Sequence, residues 1–247
     1  MKNKERIDNL LFYKQLASSR SRAKALILEG NVTVNGKIVD KPGKLVALDS
    51  EIKVKESNKY SSRGGIKLEA AIKDFNVDIS GHIAADIGAS TGGFTDCLLK
   101  NGASKVYAID VGYGQLDYNL RKDARVVVKE RCNARYLKPE EIGEPVDFVT
   151  IDVSFISLDK IFPVSYSLLK PSGKCIALIK PQFEAGRAEV SKGGVVNSEK
   201  VRLRVIDKIK SVAGAVGFSV TGIIESPLKG PAGNTEYLIY LEKANES

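Results

Sequence analysis

Apolar residues recur at two spacings along this 247-residue chain, and the spacing changes near residue 64. Ile7, Leu10, Leu11 and Leu16 fall at roughly helical intervals over residues 5–18. Ser19 or Ser21 can cap a second helix whose apolar side carries Ala23, Leu26 and Ile27, and Gly30 ends it. VTVNGKIV then reads as two short strands about an Asn-Gly turn, a strong hairpin signal. Short strand material follows at Lys41-Pro42 and from Val46 to Val54. ESNKYSSR (56–63) is polar and contains a linker, expected at 59–63, between a small α+β module (1–58) and a larger domain (64–247). In that domain GGIKLEAAIKDF (64–75) predicts a helix with Ile66, Ala70 and Phe75 among its apolar positions. Strands are predicted at 83–88, 105–110, 125–130, 147–152 and 174–180, with helices at about 93–101, 115–121, 156–169 and 198–216. Two last strands, 218–225 and 235–242, flank GPAGN. Strand–helix alternation of this kind gives a mostly parallel sheet covered on both faces. The closing pair, joined by a short turn, is expected as an antiparallel hairpin.

Charge sharpens that division. The net charge is +8, and residues 1–63 supply +7 of it with 14 Lys/Arg against 7 Asp/Glu. A basic module ahead of a nearly neutral domain suggests nucleic-acid binding by the first part. Arg20, Arg22 and Lys24 crowd the start of the second helix, whose amino end adds positive potential for phosphates. Arg6 and Lys37 add to the same candidate surface. Cys97, Cys132 and Cys175 are odd in number and dispersed, which fits a reducing, cytoplasmic setting without structural disulfides. His82 is the only histidine, so no metal site is expected. Neither a membrane span nor a signal-peptide core is evident in the sequence.

The glycine-rich stretch IAADIGASTGGF (83–94) admits two readings. GASTG fits the G-x-S-x-G of a hydrolase nucleophile, but no histidine follows Ser90 to complete a triad in that fold's order. Read from Asp86, the same letters form D-x-G-x-x-x-G, with an acid, Asp110, closing the next strand. Gly88 and Gly92 let the backbone approach a ligand. Asp86 can engage an amino group, directly or through water, and Asp110 can accept hydrogen bonds from ribose hydroxyls. Ser90 and Phe94 are further contact candidates around that turn, and Asn133, after the third strand, is a candidate for the adenine side or for capping a local turn. The pattern resembles the S-adenosylmethionine site of class I methyltransferases, with a Rossmann-like, mostly parallel seven-stranded sheet.

The fourth strand ends in IDVSF without the two prolines common in amine methyltransferases, and no cysteine follows a proline as pyrimidine carbon methylation would need. Four polar residues stand out instead: Lys67 in the first helix of the domain, Asp152 and Lys180 at the ends of strands four and five, and Glu236 opening the last strand. Carboxyl strand ends border the ligand crevice in such sheets. Two structural ion pairs would explain the same spacing. The loop EAGRAEVSKGGVV (184–196) offers Arg187 and Lys192 to RNA phosphate, or is simply a surface loop.

Two resemblances bear on these readings. RIDNLL, LASSRSRAKALILEGNVTVNG, KP and EIKV are similar to the RNA-binding module of ribosomal protein S4 over about residues 5–55. SRGGIKL, IDVSF, IKPQFEAG and NTEYL resemble the FtsJ-like ribose 2′-O-methyltransferases. Their Lys-Asp-Lys-Glu catalytic set matches Lys67, Asp152, Lys180 and Glu236. The two modules together look like the TlyA family, whose members are described both as haemolysins and as rRNA 2′-O-methyltransferases acting on cytidines of 16S and 23S rRNA. The resemblance implies S-adenosylmethionine as methyl donor and rRNA or ribosomal subunits as partner, with Lys180 acting on the ribose hydroxyl. A membrane-active protein and a non-catalytic rRNA-binding factor are the alternatives. One departure is the absence of Trp, where family members studied for domain coupling carry an Arg-x-Trp-Val linker.

Overall fold

The structure, a computed structural model, describes residues 4–17, 19–28, 30–54 and 59–244, apart from the side chains of Arg22 and Ala25. The chain forms two compact units, residues 1–59 and 60–247. Tyr60, expected in the linker, is buried in the core of the second unit.

The first unit begins with β1 (Lys4–Arg6) and α1 (Ile7–Tyr13), then α2 (Arg20–Leu28), β2 (Val32–Val34), β3 (Lys37–Ile38), β4 (Leu45–Ala47) and β5 (Ile52–Val54). α1 is shorter than the apolar spacing predicts: Gln15 takes φ 57° and Leu16 is exposed. Ile7, Leu10, Leu11, Ala23, Leu26, Ile27 and Val32 form a small core. Asn35 and Gly36 both take positive φ, so β2 and β3 make the tight hairpin that Asn-Gly encodes. Asp8 is buried, and the Arg6 guanidinium donates to its Oδ1 at 3.0 Å and to its Oδ2 at 2.8 Å. Arg6, expected on the RNA-facing surface, has this internal partner while its side chain stays 49% exposed.

The second unit contains α3 (Gly64–Asp74), β6 (Ile83–Ile87), α4 (Gly93–Lys100), β7 (Lys105–Ile109), α5 (Tyr118–Lys122), β8 (Val126–Lys129), α6 (Pro139–Ile142), β9 (Val146–Ile151), α7 (Phe162–Leu168), β10 (Leu169–Ile179), α8 (Pro181–Glu184), α9 (Glu199–Val216), β11 (Phe218–Glu225) and β12 (Tyr237–Lys243). Seven strands form one sheet in the order β11-β12-β10-β9-β6-β7-β8. β10, β9, β6, β7 and β8 run parallel, and β12 lies antiparallel between β10 and β11. This is the mostly parallel class I methyltransferase sheet with a carboxyl-terminal antiparallel hairpin. Alternate strand residues enter different cores: Ile87, Ile109, Ile151 and Ile179 pack with Phe162, Val205 and Ile209, whereas Ala84, Val106, Phe148 and Ile176 pack with Leu68, Cys97 and Leu98. Burial on both faces is why these strands read as continuous apolar runs. β10 starts earlier than predicted because Leu169 pairs with Val146 ahead of a bulge before Lys174. Among the described residues no helix is long and apolar enough to cross a membrane.

The small first core makes the Arg6–Asp8 pair a measurable fraction of local stability. Arg6 holds the Asp8 carboxyl below its usual range, first through the hydrogen bonds it donates. The folded value lies below the unfolded one, so this contribution is present near neutral pH and lost as pH falls through the folded value. Asp8→Ala is expected to cost about 1–2 kcal/mol. Read as amide exchange of Ile7–Tyr13 in the full chain at pH 7, protection should drop roughly ten-fold. Unchanged protection would show that the pair is idle.

Candidate functional site

Three elements meet at the carboxyl end of β6. The Gly88 and Ala89 N–H groups both donate to the Ile109 carbonyl at 2.9 and 3.0 Å, and the Asp152 N–H donates to the Ile87 carbonyl at 2.9 Å. Gly88 takes φ +87°, and a Cβ there would lie 2.6 Å from the Asp152 carbonyl oxygen. Only glycine permits that approach. Asp110, after β7, accepts from the Ser90 N–H at 2.7 Å and from the Gly112 N–H at 2.6 Å. Each carboxylate oxygen so used keeps a lone pair for a ligand.

Two cavities open at this turn. One, of about 350 Å³, is bordered by Gly88, Ser90, Asp110, Cys132, Asn133 and Ile156. The Asn133 side chain also accepts from the Arg135 N–H at 3.1 Å, so it caps a local turn while bordering the cavity. The other, of about 700 Å³, is bordered by Lys67, Asp152, Lys180 and Glu236 and also by Gly88, Ser90 and Phe94. Gly64 and Gly93, the first residues of α3 and α4, lie on its wall as well. The positive end of a helix suits a carboxylate, although the first N–H groups of α3 already donate to Ser62 and Arg63.

The four charged residues form two ion pairs. Lys67 Nζ lies 2.5 Å from Glu236 Oε2, with side-chain exposures of 8% and 1%. Lys180 Nζ lies 2.6 Å from Asp152 Oδ1 and donates to Ser154 Oγ at 2.9 Å. The first pair joins the first helix of the unit to its last strand, and the second joins the ends of two adjacent parallel strands. A Cβ on Gly230 would lie 2.3 Å from Glu236 Oε1, so the GPAGN loop needs glycine where it passes that carboxylate.

Two residues predicted as cofactor contacts hold the turn from behind. Asp86 is fully buried and borders neither cavity; the Thr95 hydroxyl donates to its Oδ2 at 2.7 Å and the Thr150 hydroxyl to its Oδ1 at 2.9 Å. Gly92 is also absent from both walls, and a Cβ on it would lie 2.3 Å from Leu120 Cδ1 and 2.8 Å from Leu116 Cδ1. Its φ of +93° and this packing both call for glycine there.

Of the remaining basic candidates, Arg20, Lys24, Lys37, Arg187 and Lys192 are exposed. Arg20 donates to the Tyr13 hydroxyl at 2.9 Å and lies over the Phe12 and Tyr13 rings. The Arg22 side chain lies outside the described residues. The 184–196 segment is not simply loose: Asn234 Oδ1 accepts from the Val196 N–H at 2.9 Å, and Asn234 Nδ2 donates to the Gly194 carbonyl at 2.8 Å.

Sequence reasoning missed Phe155. It takes φ +63°, is 91% exposed, borders both cavities, and its ring centroid lies 5.0 Å from that of Phe183. A left-handed backbone at an aromatic residue is strained. The signal available was an aromatic residue just beyond a strand's carboxyl end.

Comparison with known proteins agrees with this geometry. Residues 60–243 match the FtsJ-like methyltransferase family model, and residues 5–52 match the S4 domain model. The Bacillus subtilis protein YqxC, named as a candidate rRNA methyltransferase, is 49% identical over 246 residues, covering 98% of this chain and 87% of its own. The 16S/23S rRNA (cytidine-2′-O)-methyltransferase TlyA of Mycobacterium tuberculosis is 42% identical over 243 residues, covering 98% and 91%. A solved structure from Streptococcus thermophilus, of a protein named as a candidate hemolysin, superposes with a TM-score of 0.77 at 43% identity, covering 99% of this chain and 90% of that one.

Burial lifts the Asp86 carboxyl to about 6, against the hydrogen bonds from Thr95 and Thr150 that lower it. The folded value lies above the unfolded one, so the neutral form favours folding. That contribution is full below the ordinary carboxylate range and is lost as pH rises through 6. Asp86→Asn stays neutral. Between pH 4 and 7 the wild type should lose roughly 3 kcal/mol relative to the variant, from about 1.4 kcal/mol per pH unit of displacement. Urea midpoints across that range check the sign; a constant difference would overturn it.

Proposed function

The chain belongs to the FtsJ-like methyltransferase family, and we propose that it transfers a methyl group from S-adenosylmethionine to the ribose 2′-oxygen of cytidine in ribosomal RNA. The observation carrying this reading is the convergence of Lys67, Asp152, Lys180 and Glu236 on one cavity beside the Gly88–Asp110 turn. The residues of that turn fit the donor. Gly88 borders both cavities without a side chain, Asp110 has lone pairs left for ribose hydroxyls, and Asn133 borders the nucleoside side. The amino ends of α3 and α4 suit the carboxylate of its amino-acid tail.

S-adenosylmethionine supplies an electrophilic methyl on a sulfonium, whose sulfur leaves with the C–S electron pair as a neutral thioether. The protein's task is to present a ribose hydroxyl in line and take its proton. Lys180 is the acceptor: once its ammonium has passed a proton to water, its amine takes the 2′-hydroxyl proton as the oxygen bonds carbon. Asp152 and Ser154 aim the amine from 2.6 and 2.9 Å. Lys67 and Glu236 set the opposite-sign charges of the cavity wall. Proximity and alignment of this kind supply up to about 7–11 kcal/mol in well-oriented systems. Phe155 offers an exposed ring on which the target base can stack at the cavity mouth.

The first unit supplies the sequence-independent part of recognition through exposed Arg20, Lys24 and Lys37 meeting phosphate. The substrate, rRNA or the ribosomal subunit, places the protein in the cytoplasm. The relative named TlyA acts on cytidine 2′-oxygens of 16S and 23S rRNA, which supports the choice of nucleotide.

Removing one partner of the buried Lys67–Glu236 pair leaves an uncompensated charge and costs about 3–5 kcal/mol, so those positions confound catalysis with stability. Lys180→Ala is the cleaner probe. It should lower methyl transfer to unmethylated ribosomal subunits by about 10²-fold or more, with calorimetric affinity for S-adenosylmethionine within two-fold of wild type. Wild-type rates in the variant would remove Lys180 from the reaction. Phe155→Ala should keep cofactor affinity and lower rRNA methylation about ten-fold, the worth of one stacked base. Nucleoside mass spectrometry of rRNA from cells with and without the protein tests the reaction itself; no change in 2′-O-methylcytidine would defeat the proposal.

A further inference from the structure

Glu184 ends α8 and borders neither cavity, and its side chain is 2% exposed. A carboxylate is costly to bury unless donors surround it. Here the Leu158 N–H donates to Oε1 at 2.8 Å, the Ser157 hydroxyl donates to Oε2 at 2.6 Å, and Lys208 Nζ lies 3.4 Å from the same Oε2. Lys208 also donates to the Glu184 carbonyl at 3.0 Å, which ties α8 to α9. The carboxylate thus joins the segment after β9 to the segment after β10 at a point outside the ligand space.

Those two segments carry Phe155 and Phe183, whose rings meet at the cavity mouth. The hydrogen bonds to Glu184 begin two residues after Phe155, and Glu184 itself follows Phe183 directly. Phe155 takes φ +63° and is 91% exposed. A left-handed backbone at an aromatic residue persists only where its surroundings impose it, and so exposed a side chain supplies little burial to do so. Among the described residues, no backbone N–H from Val153 to Ser157 donates to a carbonyl. Val153 and Ile156 pack against the core, but apolar packing is not directional. The directional contacts are the Asp152 N–H on the Ile87 carbonyl at one end, Lys180 on Ser154 Oγ, and Ser157 with Leu158 on Glu184 at the other end.

We infer that Glu184 is a positioning residue for the target nucleotide: its carboxylate latches the segment after β9 to α8 and so keeps the strained Phe155 in place at the cavity mouth, where the base stacks. The inference rests on the ribose-methylation reading above. A carboxylate suits the task because its two oxygens accept at once from donors on adjacent residues, Ser157 and Leu158. Without that latch the Phe155 backbone is free to relax to the φ range an aromatic residue ordinarily takes, and its ring leaves Phe183. Glu184 touches neither donor nor substrate; it acts through Phe155.

The test uses the full chain, labelled S-adenosylmethionine, and ribosomal subunits from a strain lacking the corresponding methyltransferase. E184A should lower the methylation rate about ten-fold, as F155A does, because both lose one stacked base. The double variant should be no slower than F155A alone, whereas independent losses would multiply to about a hundred-fold. E184Q should recover most of the rate: its Oε1 accepts from the Leu158 N–H and its NH₂ donates to Ser157 Oγ, whose hydrogen can turn away. Calorimetric affinity for S-adenosylmethionine should match wild type in each variant, which shows that the fold stands. If E184A does not bind the cofactor, S157A decides, with a loss expected beside Phe155 and none in the F155A background. A wild-type rate in folded E184A, losses that multiply in the double variant, or no recovery in E184Q overturns the assignment while leaving ribose methylation intact. No methylation by wild type would instead defeat the function on which it rests.

Discussion

The site depends on one close approach, that of the Gly88 backbone to the carbonyl of Asp152, where an added Cβ would come within 2.6 Å. The contact sits where β6 and β9 diverge after running side by side in the sheet. It brings the turn that suits a cofactor against the residue that pairs with Lys180. Asp110 fixes the other side of the same turn by accepting from the Ser90 N–H. A bulkier residue at 88 would push the turn away from Asp152 and its partner Lys180.

Charge is arranged around that contact as two pairs with different degrees of shielding. Lys67 and Glu236 are nearly sealed, while Asp152 keeps 24% of its side chain open beside Lys180. A sealed pair holds its geometry because neither charge can be freed cheaply. The more open pair, in contact with Ser154, is the one a molecule entering the cavity meets. Behind both, Asp86 and its two threonine donors brace the strand end without meeting the ligand space.

Much of the architecture was legible because its causes are local. Doubly buried parallel strands are apolar runs, so most strand limits in the larger unit fall within one or two residues of those expected. Asn-Gly encodes its own hairpin. The limits arise where the cause is remote in sequence. Gly92 also takes φ +93° and packs on Leu116 and Leu120, more than twenty residues on, neither of which the glycine motif alone discloses. The pairing of Arg6 with the buried Asp8 is likewise not readable from the charge pattern. The four charged residues stood out by type and strand position, but their pairing needed the sheet order. Phe155 belongs to no periodic pattern; only its backbone angle and exposure disclose it.

The placement of β12 between β10 and β11 has a consequence for synthesis on the ribosome. Glu236 immediately precedes this inserted strand and lies 169 residues after its lysine partner. A nascent chain stalled before residue 236 can already have the glycine turn, Asp110 and the Lys180–Asp152 pair. It would hold an unneutralised ammonium at position 67 and leave the edge of β10 open to any passing strand. Assembly of the pocket that Lys67 and Glu236 border is thus deferred until nearly the whole second unit has been made.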